Sequence, residues 1–183
     1  MPRALTPFLT ADAIAARMSP LAAEIVASLP EAARREGVVL VGPLKGCVVV
    51  MADLSRALWG QGLPHVFDFL RLASYGAGTE SSGVVRLEMD LLHSVEGRHV
   101  VLVDDICDTG RTLQFASRHL MERGAVHITT TVLMDKPARR AVPLVVDHVG
   151  FSIPDAFVVG YGCDLAEKYR ELPFVGILGP DEG

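Results

Sequence analysis

The stretch VLVDDICDTGRTLQ, Val101 to Gln114, joins an apolar run to a helical pattern through a turn of Gly and Thr residues. A strand feeding a helix in this way leaves unpaired N–H groups at the helix start, where the helix dipole also favours an anion. Gly110 permits close backbone approach, and Thr109 and Thr112 add hydroxyl donors. The turn Asp108-Thr109-Gly110-Arg111-Thr112 therefore has the composition of a phosphomonoester cradle, but GxxxxGK[ST] occurs nowhere in the chain and this is not a Walker loop. Three carboxylates crowd the same place: Asp104, Asp105 and Asp108. Each would repel a bare phosphate by about 1 kcal/mol at about 4 Å in water, and by more when buried. The ligand must offer something carboxylates accept. A ribose diol supplies hydroxyl donors for Asp104 and Asp105, and a diphosphate arrives with magnesium that offsets the negative field. A phosphorylated ribose carrying a second, metal-bound phosphate group satisfies both halves of the motif. The plainer alternative is a strand end whose acids cap the following helix.

Outward from this motif, the chain alternates strand and helix patterns. Thr10 to Leu29 has apolar residues at helical spacing, and Ser19-Pro20 predicts a restart, a cap followed by proline at a first helical position. VVLVGPLKG (Val38–Gly46) reads as a buried strand ending in a turn, and CVVVMADLSRALW as a helix reaching Gly60. HVFDFLRLASY is a strand, YGAGTESSG a polar loop, VVRLEMDL a further strand and HVVLVDD the strand of the motif. TLQFASRHLMERG is the next helix and HITTTVLMDK the next strand. Such alternation predicts an α/β fold with a mainly parallel twisted sheet, right-handed crossovers and flanking helices, with ligands bound beyond the carboxyl ends of the strands. The tail is rich in turns and aromatics, including Phe151, Phe157, Tyr161 and Tyr169, and predicts a small C-terminal hood over the sheet.

With 183 residues the chain predicts one domain, its core roughly 36–150 and its hood built from the N-terminal segment and roughly 151–183. The net charge of -5 opposes a nucleic-acid backbone as main partner. No apolar run approaches the length of a membrane span and no signal-peptide pattern begins the chain, so a cytoplasmic location without membrane contact is expected. Cys47, Cys107 and Cys163 are odd in number and widely spaced, which indicates neither a disulfide framework nor a zinc site; they read as small residues of the core or site margin.

The DDxxDTGxT spacing resembles the 5-phosphoribosyl 1-diphosphate (PRPP) signature of the type I phosphoribosyltransferases. VGPLKG, FLRLASYG, LMDKPARR and GFSIPDAFVVGYGCDLAEKYRELP stand in the order and at about the spacing seen in the hypoxanthine-guanine phosphoribosyltransferases. The resemblance covers nearly the whole chain from about Val38. It implies transfer of 5-phosphoribosyl from PRPP to hypoxanthine or guanine, with Mg2+ and with assembly as a homodimer or homotetramer. Alternatives on the same fold are an enzyme for xanthine or another base, and a non-catalytic PRPP sensor. The acidic charge and the presence of Asp108 count against a sensor that binds RNA.

By this similarity Lys45, Gly46 and Arg170 bind the diphosphate, with a cis peptide at Leu44–Lys45 as in family members. The segment Asp104, Asp105, Asp108, Thr109, Gly110, Arg111 and Thr112 holds the phosphoribosyl group. Ser74 and Tyr75 open a mobile flap over the reacting centre. Lys136 donates to the purine O6, Phe157 stacks on the base, the Val158 backbone meets its exocyclic edge, and Asp164 adjoins the base. Asp164, together with Asp104 and Asp105, is assigned to the metal, and Asp108 is the expected proton acceptor. Independently of the resemblance, Lys136 ends an apolar strand, where an ammonium buried without a partner is costly. Asp104 departs from the family's usual Glu, which shortens its reach by one methylene.

Overall fold

The computed structural model describes residues 5–75 and 84–179. Its elements run β1 (Leu5–Leu9), α1 (Ala11–Ser28), α2 (Glu31–Glu36), β2 (Val38–Leu44), α3 (Val48–Gly60), β3 (His65–Tyr75) and β4 (Val84–Met89). They continue with β5 (His99–Cys107), α4 (Arg111–Glu122), β6 (His127–Asp135), a single 3₁₀ turn at Pro137–Arg139, β7 (His148–Ser152), β8 (Val158–Val159) and β9 (Val175–Leu178). Six strands form one sheet in the order β4-β3-β2-β5-β6-β7, and β1-β9-β8 form a second, three-stranded sheet.

The period-2 pattern of the central strands explains the layers. Val38 and Leu40 of β2, with Val101 and Val103 of β5, face the apolar side of α1 and α3. Val39, Val41, Val100 and Leu102 face the opposite way, onto Leu113, Ala116 and Leu120 of α4. Strands buried on both faces read as continuous apolar runs, and α3 and α4 make the crossovers of the parallel pairs β2–β3 and β5–β6. Pairs β2–β3, β2–β5, β5–β6 and β6–β7 are parallel. The exception is β4, which pairs with β3 antiparallel.

One sequence expectation fails. The helix does not restart at Pro20; α1 continues through it. Its buried face, Ile14, Met18, Leu21, Ala22 and Ile25, runs unbroken across the proline, whose ring lies on the exposed side. Tertiary packing of that face outweighs the one lost hydrogen bond. Arg17 adds a clamp spanning Pro20, pairing with Glu24 at 2.7 Å and donating to the carbonyls of Val149 and Gly150 in β7. At the other end Thr10 caps the helix by accepting from Ala13 N–H at 3.1 Å.

Of the N-terminal segment, β1 joins the three-stranded sheet, while α1 packs on α3 and β7 of the larger one. Among the described residues no helix is long and apolar enough to cross a membrane. Leu102 is fully buried at the centre of β5. Leu102→Ala should cost about 2–5 kcal/mol of stability in urea unfolding, since both the transferred surface and the residual cavity count; a loss below about 1 kcal/mol would contradict its central position.

Candidate active site

The larger sheet reverses its order of strand addition between β2 and β5, so the carboxyl ends of these neighbours flank the crevice in which doubly wound sheets take ligands. After β2 the chain turns through Lys45 and Gly46, with a cis peptide at Leu44–Lys45. A Cβ on Gly46 would lie 2.1 Å from Asp105 Oδ2, so only glycine fits against that carboxylate. From the tail, Gly162 (φ +103) closes on the other side, where a Cβ would lie 2.1 Å from the Gly46 carbonyl oxygen. Three segments distant in sequence meet at these two glycines.

The strand β5 runs past the aspartate pair through Ile106 and Cys107, so Asp104 and Asp105 are strand residues, both buried. Asp104 Oδ1 accepts from the Asp105 N–H at 3.0 Å, and Asp105 Oδ1 from the Ile106 N–H at 2.8 Å. The Cys163 thiol donates to Asp105 Oδ2 at 3.3 Å. Burial raises the pKa of Asp104 well above the carboxylate range, and the adjoining Asp105 charge raises it further. Burial also raises Asp105, against the opposing effect of bonds from Asp104, Cys163 and Ile106.

Beyond the pair, residues from Asp104 to Leu113, Arg111 excepted, line a cleft of about 240 Å³. Gly110 is left-handed (φ +83, ψ -5) and caps α4. The cradle is braced from behind by Arg140, which donates to the Asp108 carbonyl at 2.9 Å, contacts the Cys107 thiol and forms a part-buried ion pair with Asp135. Asp108 lies between two cations: Arg139 Nε donates to its Oδ1 at 3.0 Å, and Lys136 Nζ stands 4.0 Å from its Oδ2. Lys136 is only 6% exposed, and Asp108 is the charge partner that an ammonium in such a position requires.

Lys45 is paired with Glu167 at 2.7 Å. Arg170 pairs with Asp164 at 2.8 Å and donates to the Gly162 carbonyl at 2.7 Å, while Asp164 also accepts from the Glu167 N–H at 2.8 Å. The Lys45 hydrogen bond holds the Glu167 carboxyl below its ordinary range. Phe157 precedes β8 and is half-exposed; Val158 is buried and pairs with Ile177. Ser74 and Tyr75 end β3, but their side chains and the remainder of the expected flap, residues 76–83, lie outside the described residues.

Among the described residues no group of three or more His, Cys, Asp or Glu side chains stands ready to hold a metal ion. Asp104 Oδ1 and both oxygens of Asp105 and of Asp164 are engaged by backbone N–H groups, the Cys163 thiol and Arg170. The three cysteines are free and buried. Burial raises all three thiols, Cys107 to about 12 despite its contact with Arg140, which makes them inert core groups rather than nucleophiles. Sequence reasoning assigned no role to Arg139, Arg140 or Glu167. Both arginines stand in the quoted LMDKPARR, whose paired cations beside a Lys-Pro turn were the available signal; Glu167 had only its place three residues before Arg170.

A phosphoribosyl transferase domain model matches residues 8–166. The chain belongs to this family. It is 41% identical over 174 residues to a hypoxanthine-guanine phosphoribosyltransferase of Mycobacterium avium, an alignment covering 94% of this chain and 84% of the relative. Among solved structures it resembles a hypoxanthine phosphoribosyltransferase of Staphylococcus aureus with a TM-score of 0.86 and 36% identity, covering 95% of this chain and 91% of that one. The Trypanosoma cruzi hypoxanthine phosphoribosyltransferase in complex with the product IMP matches with a TM-score of 0.86 and 35% identity over 97% of this chain and 95% of that one. Within the family the chain falls with the hypoxanthine-guanine phosphoribosyltransferases, and its fold is theirs.

The raised pKa of Asp104 carries a stability consequence. A carboxyl whose folded pKa exceeds its unfolded value costs stability; the cost is full above the folded pKa, shrinks as pH falls below it and is gone below the unfolded pKa. Asp104→Asn keeps the acceptor oxygen for the Asp105 N–H and removes the charge. In the ligand-free protein it should raise the thermal midpoint at neutral pH. Calorimetry over a pH series should show the advantage shrinking as pH falls; an unchanged or lower midpoint at neutral pH would contradict a destabilising buried carboxyl at Asp104.

Proposed function

We propose that this chain transfers the 5-phosphoribosyl group of PRPP to hypoxanthine or guanine, giving IMP or GMP and diphosphate, in purine salvage. The observation that carries the reading is the buried Lys136 ammonium facing Asp108, which with the carboxylate pair lines a polar cleft. A phosphate cradle alone suits any phosphoribosyl donor. An ammonium with three donors and no acceptor, next to a carboxylate, suits a base that presents an oxygen and gives up a ring proton.

In this reading the Asp108–Thr112 turn and the start of α4 take the 5-phosphate, with the Thr109 and Thr112 hydroxyls and the backbone N–H groups as donors. Asp104 and Asp105 accept from the ribose hydroxyls. A ribose diol in the crevice would give this buried pair hydroxyl partners in place of water. Lys45 and Arg170 take the diphosphate, and Lys136 takes O6 of the purine. Phe157, with half its surface exposed beside β8, has room to stack on the base.

The purine ring nitrogen attacks C1 of the ribose as diphosphate departs, with inversion and an oxocarbenium-like transition state. The nitrogen-bound proton passes to Asp108 Oδ2, the oxygen that faces Lys136, while Arg139 fixes the carboxylate through Oδ1. The chain's main work is to position, neutralise and exclude water.

Magnesium, which prefers hard oxygen ligands and needs few from protein, would be held here by carboxylates of the chain together with the substrate, and would offset the charge of the diphosphate. Asp104, Asp105 and Asp164 offer only carboxylate oxygens, and Asp164 becomes available when Arg170 turns to the diphosphate. Such an ion neutralises the leaving group.

The direct test is to incubate the protein with PRPP, magnesium and each base separately and to detect nucleotide and diphosphate; no nucleotide from either hypoxanthine or guanine would refute the reading. Asp108→Asn preserves size and should lower turnover by about 10²–10⁴ with PRPP binding largely kept. An unchanged rate with chemistry limiting would place the base elsewhere. The lysine controls base choice: wild-type kcat/KM for adenine should lie about 10²–10⁵ below that for hypoxanthine, because the 6-amino group meets another donor. Lys136→Ala should narrow that gap, and adenine turnover within about tenfold of hypoxanthine in the wild type would defeat the 6-oxopurine assignment.

A further inference from the structure

One carboxylate, that of Glu167, reaches both cations assigned to the diphosphate, sharing Arg170 with Asp164. Its Oε2 accepts from Lys45 Nζ at 2.7 Å, and its Oε1 stands 3.5 Å from Arg170 NH2. Lys45 comes from the turn after β2 and Arg170 from the tail, so a single group joins cations from two distant segments through its two oxygens, as a phosphate oxygen pair would. The turn that presents it is costly to form. Ala166, Glu167 and Tyr169 all have positive φ, at +49, +66 and +78, although none is glycine. Reciprocal backbone bonds between Leu165 and Lys168, both 3.1 Å, and the bond from Glu167 N–H to Asp164 hold the turn in shape. The pair is also exchangeable, with the Lys45 and Glu167 side chains 53% and 63% exposed.

We propose that Glu167 is an internal counter-anion of the diphosphate subsite, which diphosphate must displace, and so a determinant of PRPP affinity and of diphosphate release. The inference rests on the reading in which Lys45 and Arg170 bind diphosphate. A carboxylate carries one negative charge and a diphosphate several, so the substrate outcompetes the side chain. On product departure Glu167 returns to the cations and lowers the affinity with which diphosphate is retained. The same contact keeps Lys45 and Arg170 close together before substrate arrives, instead of splayed by their mutual repulsion.

The test uses Glu167→Gln, which keeps length and backbone and removes the charge. Calorimetric titration with magnesium diphosphate should give a Kd about two- to fivefold lower than wild type at low salt, the range expected for losing an exposed ion pair, with the difference shrinking as salt rises. KM for PRPP should fall in parallel, while KM for hypoxanthine stays unchanged. An unchanged or weakened diphosphate Kd in the Gln variant overturns the inference, the second result indicating that Glu167 only orients the cations. Lys45→Ala separates the two levels of argument. If it weakens diphosphate binding while Glu167→Gln has no effect, the counter-anion role alone is wrong; if it leaves diphosphate binding intact, the assignment of the subsite is wrong. Circular dichroism of both variants checks that the fold is kept.

Discussion

Two adjacent carboxylates, Asp104 and Asp105, are buried at the carboxyl end of the central strand β5, and the surrounding structure is arranged around that electrostatic burden. Burial pushes both groups toward the neutral form. The backbone answers with two N–H bonds along the strand, the tail with the Cys163 thiol, and Gly46 with the absence of a side chain where Asp105 Oδ2 needs room. Gly162 then lies directly on the Gly46 carbonyl. A change at either glycine would reach the carboxylates through backbone contact, which ties the turn after β2 and the tail to the same few ångströms of space.

Around this acidic centre the cations are matched by acids of the chain itself. Lys45 is paired with Glu167, Arg170 with Asp164, Arg139 with Asp108 and Arg140 with Asp135, while Lys136 faces Asp108. In the proposed function each substrate group therefore exchanges with a pair that already exists instead of meeting isolated charges. Exchange of this kind limits affinity, because part of each new contact is offset by a broken one, and it keeps the cations oriented between turnovers. Arg140 stands apart from this exchange. Its pair with Asp135 is part-buried and it bonds the Asp108 carbonyl, so it serves the shape of the phosphate cradle.

Much of the local architecture was legible before the coordinates. The boundaries of β3 coincide with HVFDFLRLASY, and the turn at Gly110 is left-handed as a cradle next to α4 requires. Pro20 misled because local propensity marks a helix start, whereas the apolar stripe from Ile14 to Ile25 carries the helix through it. β5 runs two residues past HVVLVDD, because Ile106 and Cys107 pair with Met134 and Asp135 of β6, a partnership no local window shows. The metal assignment rests on the family resemblance, since residue types alone do not say which carboxylates meet in space.

The sequence by itself determined the alternation of strand and helix, the cradle after β5, the family and the residue types that reach the site, because each depends on spacings of a few residues or on motifs read in order. Only the tertiary structure decided which charges neutralise which. Lys45 and Glu167 are 122 positions apart, Arg139 and Asp108 31 apart, and Cys163 and Asp105 58 apart. Their meeting depends on the β2–β5 switch point and on the close contact of Gly46 with Gly162, which together bring three chain segments to one crevice. Pairing at such range is a property of how the sheet is ordered and how closely two backbones approach, and neither is encoded in any local window of the chain.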